Sequence, residues 1–585
     1  MARRQKQQGG ESAGVSPQPG TASGPTRSAP TGHRLVTSLA AGVLLCLALA
    51  HIVATRLSWS GTPLQTDTGM WAYIGGRILD GALPYHDLWE SKPPGIYYTF
   101  AVVEWLCGRG GDAAFLWLDA VLTAGVLAST YAAARRFAST PAAAGAVLLL
   151  SLVFCHRILA DWGNNVEKFV ALFETLALLL FLGACPNPLG GLKRRWFGIG
   201  ACCGAAGLFK QTGCLLFVLL ILAQAIAAAR DRSRGAVHLT RIGLLILGAA
   251  GPWIPALAYM LWQGNFSGFW QQVVLYDLLR AGSADVERSR LATPEHWSQV
   301  WEAISLVLIL FGPALIGLLT VAVDRARRHA AGEGESGVSA RLPLIGVFWV
   351  VATMAFVVAP YGYGHYLLQA APPAALLSAA ALDRTRRRPR AGPWLAGMVF
   401  ALFAGGGQLG DHLRFTFDKS YSLRNSYHQI AERTDGLVML TRASSRPDQT
   451  VMLWPPDYAA SYYAQRVTPL EASNSDVIFK EKIGRLSPPI DRLTTYLKSR
   501  PPDVIIDGTP VEAQSSAATQ PRSPPRLLVP DDGTSFLDEP NEQHPALEGR
   551  LLAPLKRWVK ENYGGRKRVG RYILYFHGAA TSQPK

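Results

Sequence analysis

Long apolar runs separated by short basic loops constrain this chain more than any other feature. A helix needs about 20 mostly apolar residues to cross a bilayer. Runs of that kind occupy residues 35–55, 113–134, 141–159, 166–184, 240–262, 299–322, 342–360, 364–382 and 391–409. Residues 197–229 read as two shorter spans joined at the turn FKQTG, which brings the expected total to eleven. The hydrophobic content of 49% and the mean hydropathy of +0.15 hide this segregation, because polar tails and loops dilute the average.

A net charge of +16 raises the question of nucleic acid binding. The placement of the charge argues against it. Basic residues fall in the loops between spans: Arg135–Arg136, Lys193–Arg195, Arg230–Arg241, Arg325–Arg341 and the run DRTRRRPR at 383–390. Positive loops stay on the cytoplasmic side, and with eleven spans all of these loops share that side with the N-terminal tail. The acidic loop 61–112, the polar segment 161–167, Lys210, the loop 263–298 and the C-terminal region then lie outside. The stretch GIYYTFAVVEWLC at 95–107 is apolar but has only 13 residues. Counting it as a span would place every later basic loop outside, so it is expected to lie in the outer interface, where Tyr97, Tyr98 and Trp105 suit the depth.

Residues 1–34 are Gly, Ser, Pro, Gln and Arg with few large apolar side chains, the composition of a disordered tail. The first apolar run starts late and is long enough to anchor, so no cleavable signal peptide is expected. The membrane domain is assigned to 35–410. Beyond 411 no run reaches span length. TVMLW (450–454), DVIID (503–507) and RYILYF (571–576) have the pattern of short strands; 421–436, 490–499 and 546–563 read as helices; 508–545 reads as a long loop. The expected fold is a polytopic α-helical membrane protein with a small α/β domain at 411–585 on the outer face. All 7 cysteines precede that domain, so no disulfide framework is implied there.

Ionisable groups beside a bilayer are costly unless they have a task, and they cluster directly behind the first span. The segment TDTGMWAYIGGRILDGALPYHDLWESKPPG carries Asp67, Asp80, Asp87, Glu90 and Lys92. The Asp67 carboxylate is placed to deprotonate a hydroxyl or ligate a cation; Asp67-Thr68 also has the pattern of a helix cap. Pro93 and Pro94 hold Lys92 extended, as either a phosphate ligand or a snorkelling interfacial lysine. A second polar cluster, DWGNNVEKF, supplies Asp161, Asn164, Asn165 and Glu167 on the same face. Helix-dipole effects account for Asp161 and Glu167, but not for Glu174 two turns deeper or for Asp119 inside its span. Lys210 sits at the FKQTG turn. YGYGHYLLQ places Tyr361, Tyr363, His365, Tyr366 and Gln369 at the outer start of a span, as an aromatic belt or as a polar wall for a lipid phosphate or sugar.

The order of span, Asp-bearing loop, PYHDLWESKPPG, further spans and outer domain resembles the GT-C glycosyltransferases of the protein mannosyltransferase and lipid A aminoarabinose transferase type. DLWESKPPG is the most specific part, and the resemblance covers about 35–410. It implies a sugar donor carried on polyprenyl phosphate and an acceptor glycan, lipid or protein at the outer face of the plasma or inner membrane. By position it gives Asp67 the role of catalytic base, with Asp161 or Glu167 as a second acidic residue. It places Lys92 at the donor phosphate, with Lys210 and His365 as further phosphate ligands. Asp87, Glu90, Tyr361, Tyr366 and Gln369 are the expected substrate contacts. Some members carry a metal-linked Glu directly before the KPP lysine; Ser91 stands there in this chain, with Glu90 one residue earlier, so a divalent cation is left open. No redox cofactor or nucleotide site is needed. A transporter or lipid-linked glycan flippase using Asp119 and Glu174 is the alternative, although the polar groups gather on one face rather than at midplane.

This reading makes a topological prediction. Reporter fusions after Arg390 and after Lys585 are expected to report cytoplasmic and external locations respectively. The same side for both would overturn the eleven-span arrangement.

Overall fold

The computed structural model describes residues 31–160 (except 63 and 65), 163, 165–183, 190–276, 278, 293–331, 338–359, 363–387, 410–421, 436–454, 457–469, 495, 497–507, 553–569 and 572–578. Helices dominate. In chain order the main ones are α1 (Thr31–Trp59), α2 (Thr66–Leu79), α3 (Gly95–Cys107), α4 (Asp112–Ala134), α5 (Thr140–Phe154), α6 (Val166–Leu182), α7 (Gly190–Gly207), α8 (Leu215–Arg230) and α9 (Gly235–Trp262). A short helix α10 (Phe266–Phe269) runs into a wide turn at Trp270–Leu275, followed by α11 (Pro294–Ala330), α12 (Leu342–Val357) and α13 (Ala371–Arg387). Six segments among the described residues are long and apolar enough to cross a membrane, namely Leu35–Trp59, Asp112–Ala134, Gln211–Arg230, Arg232–Trp262, His296–Ala330 and Ser339–Val357. The other expected spans fall on α5, α6, α7 and α13, while 391–409 lies outside the described residues.

The helix α3 is 13 residues long, about 20 Å at 1.5 Å per residue, against a hydrocarbon core of about 30 Å. One face, with Ile96, Tyr97, Phe100, Ala101 and Glu104, is buried. The opposite face exposes Val102, Trp105 and Leu106. An apolar exposed stripe with a tryptophan suits an interfacial helix.

Three charged side chains are buried together between α1, α4 and α6. The carboxylate of Asp119 accepts from the Arg56 guanidinium and from Lys168 Nζ at 2.5 Å. Arg56 also donates to Thr123 Oγ1 at 2.9 Å. Asp119, unexplained by the sequence, therefore pairs with two buried cations and has a structural role. Nearby, His51 and His412 meet through their Nε2 atoms at 2.9 Å, and His156 stacks on His412 at 4.9 Å. These contacts tie the helical segment 410–417, which opens the C-terminal region, to α1 and the end of α5.

The C-terminal region holds a four-stranded sheet of order β1-β2-β4-β3, with β1 (Val451–Trp454), β2 (Val504–Asp507), β3 (Gly565–Val569) and β4 (Tyr572–Phe576). The β1–β2 pair is parallel, and β4 lies antiparallel between β2 and β3. The three strands expected from apolar pattern are β1, β2 and β4. The sequence GRKRV of β3 lacks the apolar pattern of a strand; its basic residues mark it as an edge, where charge discourages further pairing. Of the expected helices, 546–563 is seen as α16 (Ala553–Asn562), and residues 497–499 are helical. Most of 421–436 and all of 508–545 lie outside the described residues. Two short helices, α14 (Met439–Ser444) and α15 (Tyr458–Ala464), flank β1. The helix α15 rests on α2 and on the ends of α3 and α4, where Glu104 is 2% exposed. Burial pushes the Glu104 carboxyl up to about 7 against the opposing effects of the Tyr462 hydroxyl and Arg109, with Asp80 adding to the rise.

Two stability predictions follow from these buried groups. Asp119→Ala leaves two cations unpaired and is expected to cost about 3–5 kcal/mol, read as a lower thermal midpoint in detergent. An unchanged midpoint would contradict the buried network. For Glu104 the folded pKa lies above the unfolded one, so its contribution is full below about 4.5 and is lost as pH rises through about 7. The wild-type midpoint should fall across that window, and the Glu104→Gln midpoint should fall less.

Candidate active site

The site begins with α2. The helix opens at Thr66 and ends ahead of Gly81, whose φ of +91° is the left-handed stop that glycine favours. Asp67 is its second residue, and Trp71 follows one turn later on the same face. Asp67 is half-buried. Among the described residues its carboxylate has no hydrogen-bond donor in the structure, and it lies within the helix rather than at its cap position. A carboxylate in the first turn is favoured by the helix dipole.

The loop after α2 is fixed by its backbone. Asn265 Nδ2 donates to the Pro84 carbonyl at 2.8 Å, and Gln272 Nε2 donates to the Tyr85 carbonyl at 2.9 Å. Gln272 Oε1 accepts from Glu90 N–H at 3.0 Å. Gln211 Nε2 donates to the Ser91 carbonyl at 2.9 Å, and Tyr85 Oη donates to the Lys92 carbonyl at 2.8 Å. After the two prolines, Gly95 N–H reaches the Leu208 carbonyl at 2.8 Å, an approach too close for a side chain, since a Cβ there would lie 2.7 Å from that oxygen. Each hydrogen bond removes a degree of freedom, and together they fix Lys92. Its Nζ sits 5.3 Å from the centre of the Trp71 ring, a cation–π contact. Burial opposes the Lys92 charge, but Glu90, then Asp67, Tyr366 and Glu167 favour it, and the balance holds its pKa above the ordinary lysine value.

The other wall comes from α6, the turn after α7 and the segment ahead of α13. Lys210 Nζ donates to Glu167 Oε1 at 2.5 Å and lies 3.7 Å from the centre of the Tyr366 ring. His365 Nε2 is 4.0 Å from the same Glu167 oxygen, and its ring meets Tyr366 edge-on at 4.8 Å. The Glu167 side chain is 3% exposed. Deeper in the bundle, Gln369 Nε2 donates to Glu174 Oε1 and to the Thr212 carbonyl, both at 2.9 Å.

The fold thus brings Glu90, Asp67, Tyr366 and Glu167 near Lys92, and Glu167 to Lys210 and His365, so these seven residues form one connected group. Gln369 lies behind them. Asp87 is not brought to the group: its carboxylate accepts the Leu83 N–H at 2.8 Å and meets His86 at 3.0 Å, closing its own loop. Asp161, Asn164 and Tyr361 lie outside the described residues. Trp71, Gln211 and Gln272 escaped the sequence reading. Trp71 was findable from its four-residue spacing to Asp67; the two glutamines act through backbone carbonyls and leave no pattern. Among the described residues, no three His, Cys, Asp or Glu side chains gather as a metal site.

Known proteins give the following comparison. The family model for dolichyl-phosphate-mannose-protein mannosyltransferase matches residues 91–259, which include Lys92, Glu167 and Lys210. No curated protein sequence matches the chain. Among solved structures, ArnT from Cupriavidus metallidurans bound to undecaprenyl phosphate aligns with a TM-score of 0.51 at 14% identity, covering 95% of this chain and 100% of that one. The apo oligosaccharyltransferase of Archaeoglobus fulgidus aligns at 0.46 and 14% identity, covering 81% of this chain and 70% of that one. The chain therefore has a GT-C-like, multi-pass helical membrane fold and resembles the protein mannosyltransferase and ArnT glycosyltransferases.

Proposed function

We propose that this protein is an integral membrane glycosyltransferase that moves a sugar from a polyprenyl-phosphate donor to an acceptor hydroxyl at the outer face of the cell membrane. One observation carries the reading: two cations on different elements, Lys92 and Lys210, share Glu167 as a neighbour, and the Asp67 carboxylate, without a hydrogen-bond donor among the described residues, lies close enough to Lys92 to favour its charge. The polyprenyl tail would lie among the spans, and its phosphate would meet Lys92 and Lys210. The two domains, the cytoplasmic N-terminus and the external C-terminus belong to the same proposal. The presence of undecaprenyl phosphate in the ArnT structure supports a lipid-linked donor.

In the proposed reaction the acceptor oxygen forms a bond to the anomeric carbon. The bond from that carbon to the phosphate oxygen breaks, and its electron pair leaves with polyprenyl phosphate. Asp67 takes the acceptor proton. Charge grows on the phosphate as the bond breaks, and Lys92 and Lys210 are already in place to offset it. Glu167 holds Lys210 and His365 and acts as their positioning residue, while Glu90 favours the Lys92 charge. Tyr366 supports the Lys210 ammonium through its ring. A carrier would need unpaired membrane charges as its coupling groups; Asp119 is neutralised by Arg56 and Lys168, which removes one of the two such groups.

Asp67→Asn is expected to slow transfer by about 10²–10⁴-fold, the usual cost of a lost general base, with donor affinity largely intact. Lys92→Ala is expected to weaken donor binding and slow transfer together, since a phosphate ligand acts in both states. Membrane assays with radiolabelled polyprenyl-phosphate sugars distinguish the two. A folded Asp67→Asn protein that transfers at the wild-type rate would overturn this mechanism.

A further inference from the structure

We infer that α15 of the C-terminal domain is a positioning clamp for the helix that carries Asp67. Three contacts bracket that residue. Ahead of it, Tyr463 Oη accepts the Leu64 N–H at 2.6 Å. Two residues after it, Gly69 packs on Ala459 so closely that a Cβ on Gly69 would lie 2.5 Å from the Ala459 Cβ and 2.9 Å from its Cα. One turn further on, Tyr73 Oη accepts the Thr468 N–H at 3.0 Å, and the Tyr73 and Tyr458 rings meet at 5.0 Å. A further contact, Gly110 N–H to Tyr462 Oη at 3.1 Å, ties the same helix to the end of α3.

The clamp is stiff because α15 is itself fixed. Asp457 Oδ1 caps it through the Ala460 N–H at 2.9 Å. Gln465 closes it in the left-handed region at φ +53°. Arg466 then grips Ser445, with Nη2 2.8 Å from its carbonyl oxygen and Nε 2.9 Å from its Oγ. Strand β1 and its partners anchor the whole unit. The Lys92 backbone and Lys210 are held by other elements, and only the Lys92 ammonium rests on α2, through Trp71, so α15 bears first on the carboxylate side of the site.

This inference rests on the glycosyltransferase reading for its kinetic effect, and a second readout stands apart from that reading. Gly69→Ala favours helix locally but has no room against Ala459, so it should displace Asp67. A misplacement of about 1 Å can cost on the order of 10²-fold in rate. The expected result is a kcat lowered roughly 10- to 100-fold with a smaller rise in donor KM, because the Lys92 ammonium rests on Trp71 of the same helix while the Lys92 backbone and Lys210 are held elsewhere. Adding Ala459→Gly should recover part of the loss, since it removes the 2.5 Å contact with the Ala459 Cβ and leaves the one with its Cα at 2.9 Å. Hydrogen–deuterium exchange across residues 62–73 should rise in Gly69→Ala and return part of the way in the double variant. Full kcat in Gly69→Ala, a rise in KM that exceeds the loss in kcat, or exchange across residues 62–73 unchanged from the wild type would overturn the clamp. Absence of transfer by the wild type would refute the glycosyltransferase reading, and the exchange measurement would still decide the clamp.

Discussion

The bilayer's intolerance of unpaired charge organises this molecule. Asp119 is buried between Arg56 and Lys168, and removing it would strand both cations in a medium that solvates them poorly. Satisfying them requires α1, α4 and α6 to meet at one level. That requirement also places the site. Successive helix residues point roughly 100° apart, so fixing Lys168 against Asp119 turns Glu167 the other way, toward Lys210 and His365. One turn of α6 therefore serves a structural network on one side and the candidate site on the other.

The site itself is assembled from loops that behave as rigid parts. The Lys92 segment is held by Gln211, Gln272, Asn265 and Leu208, which belong to elements far away in sequence. Such a loop gives its lysine a fixed position before any donor arrives. Under the proposed function this matters energetically: dipoles and charges already in place need no reorganisation as charge moves onto the departing phosphate. The carboxylate side is held differently, through α2 and the contacts it makes with the C-terminal domain.

Much of this was legible in the sequence, for reasons that differ by element. The spans were legible because lipid solvates apolar residues over a set length, and α3 stood out because it fell short of that length. The strands β1, β2 and β4 were legible from their apolar runs, whereas the basic β3 was not, since an edge strand needs only one partner and little burial. Asp67 and Lys92 stood out as polar residues in a place that tolerates few. Arg56 and Lys168 deserved the same attention, because a charge inside an apolar run asks for a partner, and Asp119 supplied the question without the answer. Asp87 misled: proximity in sequence to Lys92 did not bring it to the site, because its carboxylate satisfies Leu83 and His86 in its own loop. The contact of Gly69 with Ala459 joins residues almost four hundred positions apart, and nothing local in either segment announces it.

The central claim is a direct displacement at the anomeric carbon by an acceptor hydroxyl that Asp67 deprotonates. Purified protein in liposomes, supplied with polyprenyl-phosphate sugars of known anomeric configuration and a panel of envelope acceptors, tests it through the configuration of the transferred sugar by NMR. The account predicts inversion, with free polyprenyl phosphate as the second product. Retention of configuration would require a covalent or two-step route in place of the single displacement, and would contradict the account.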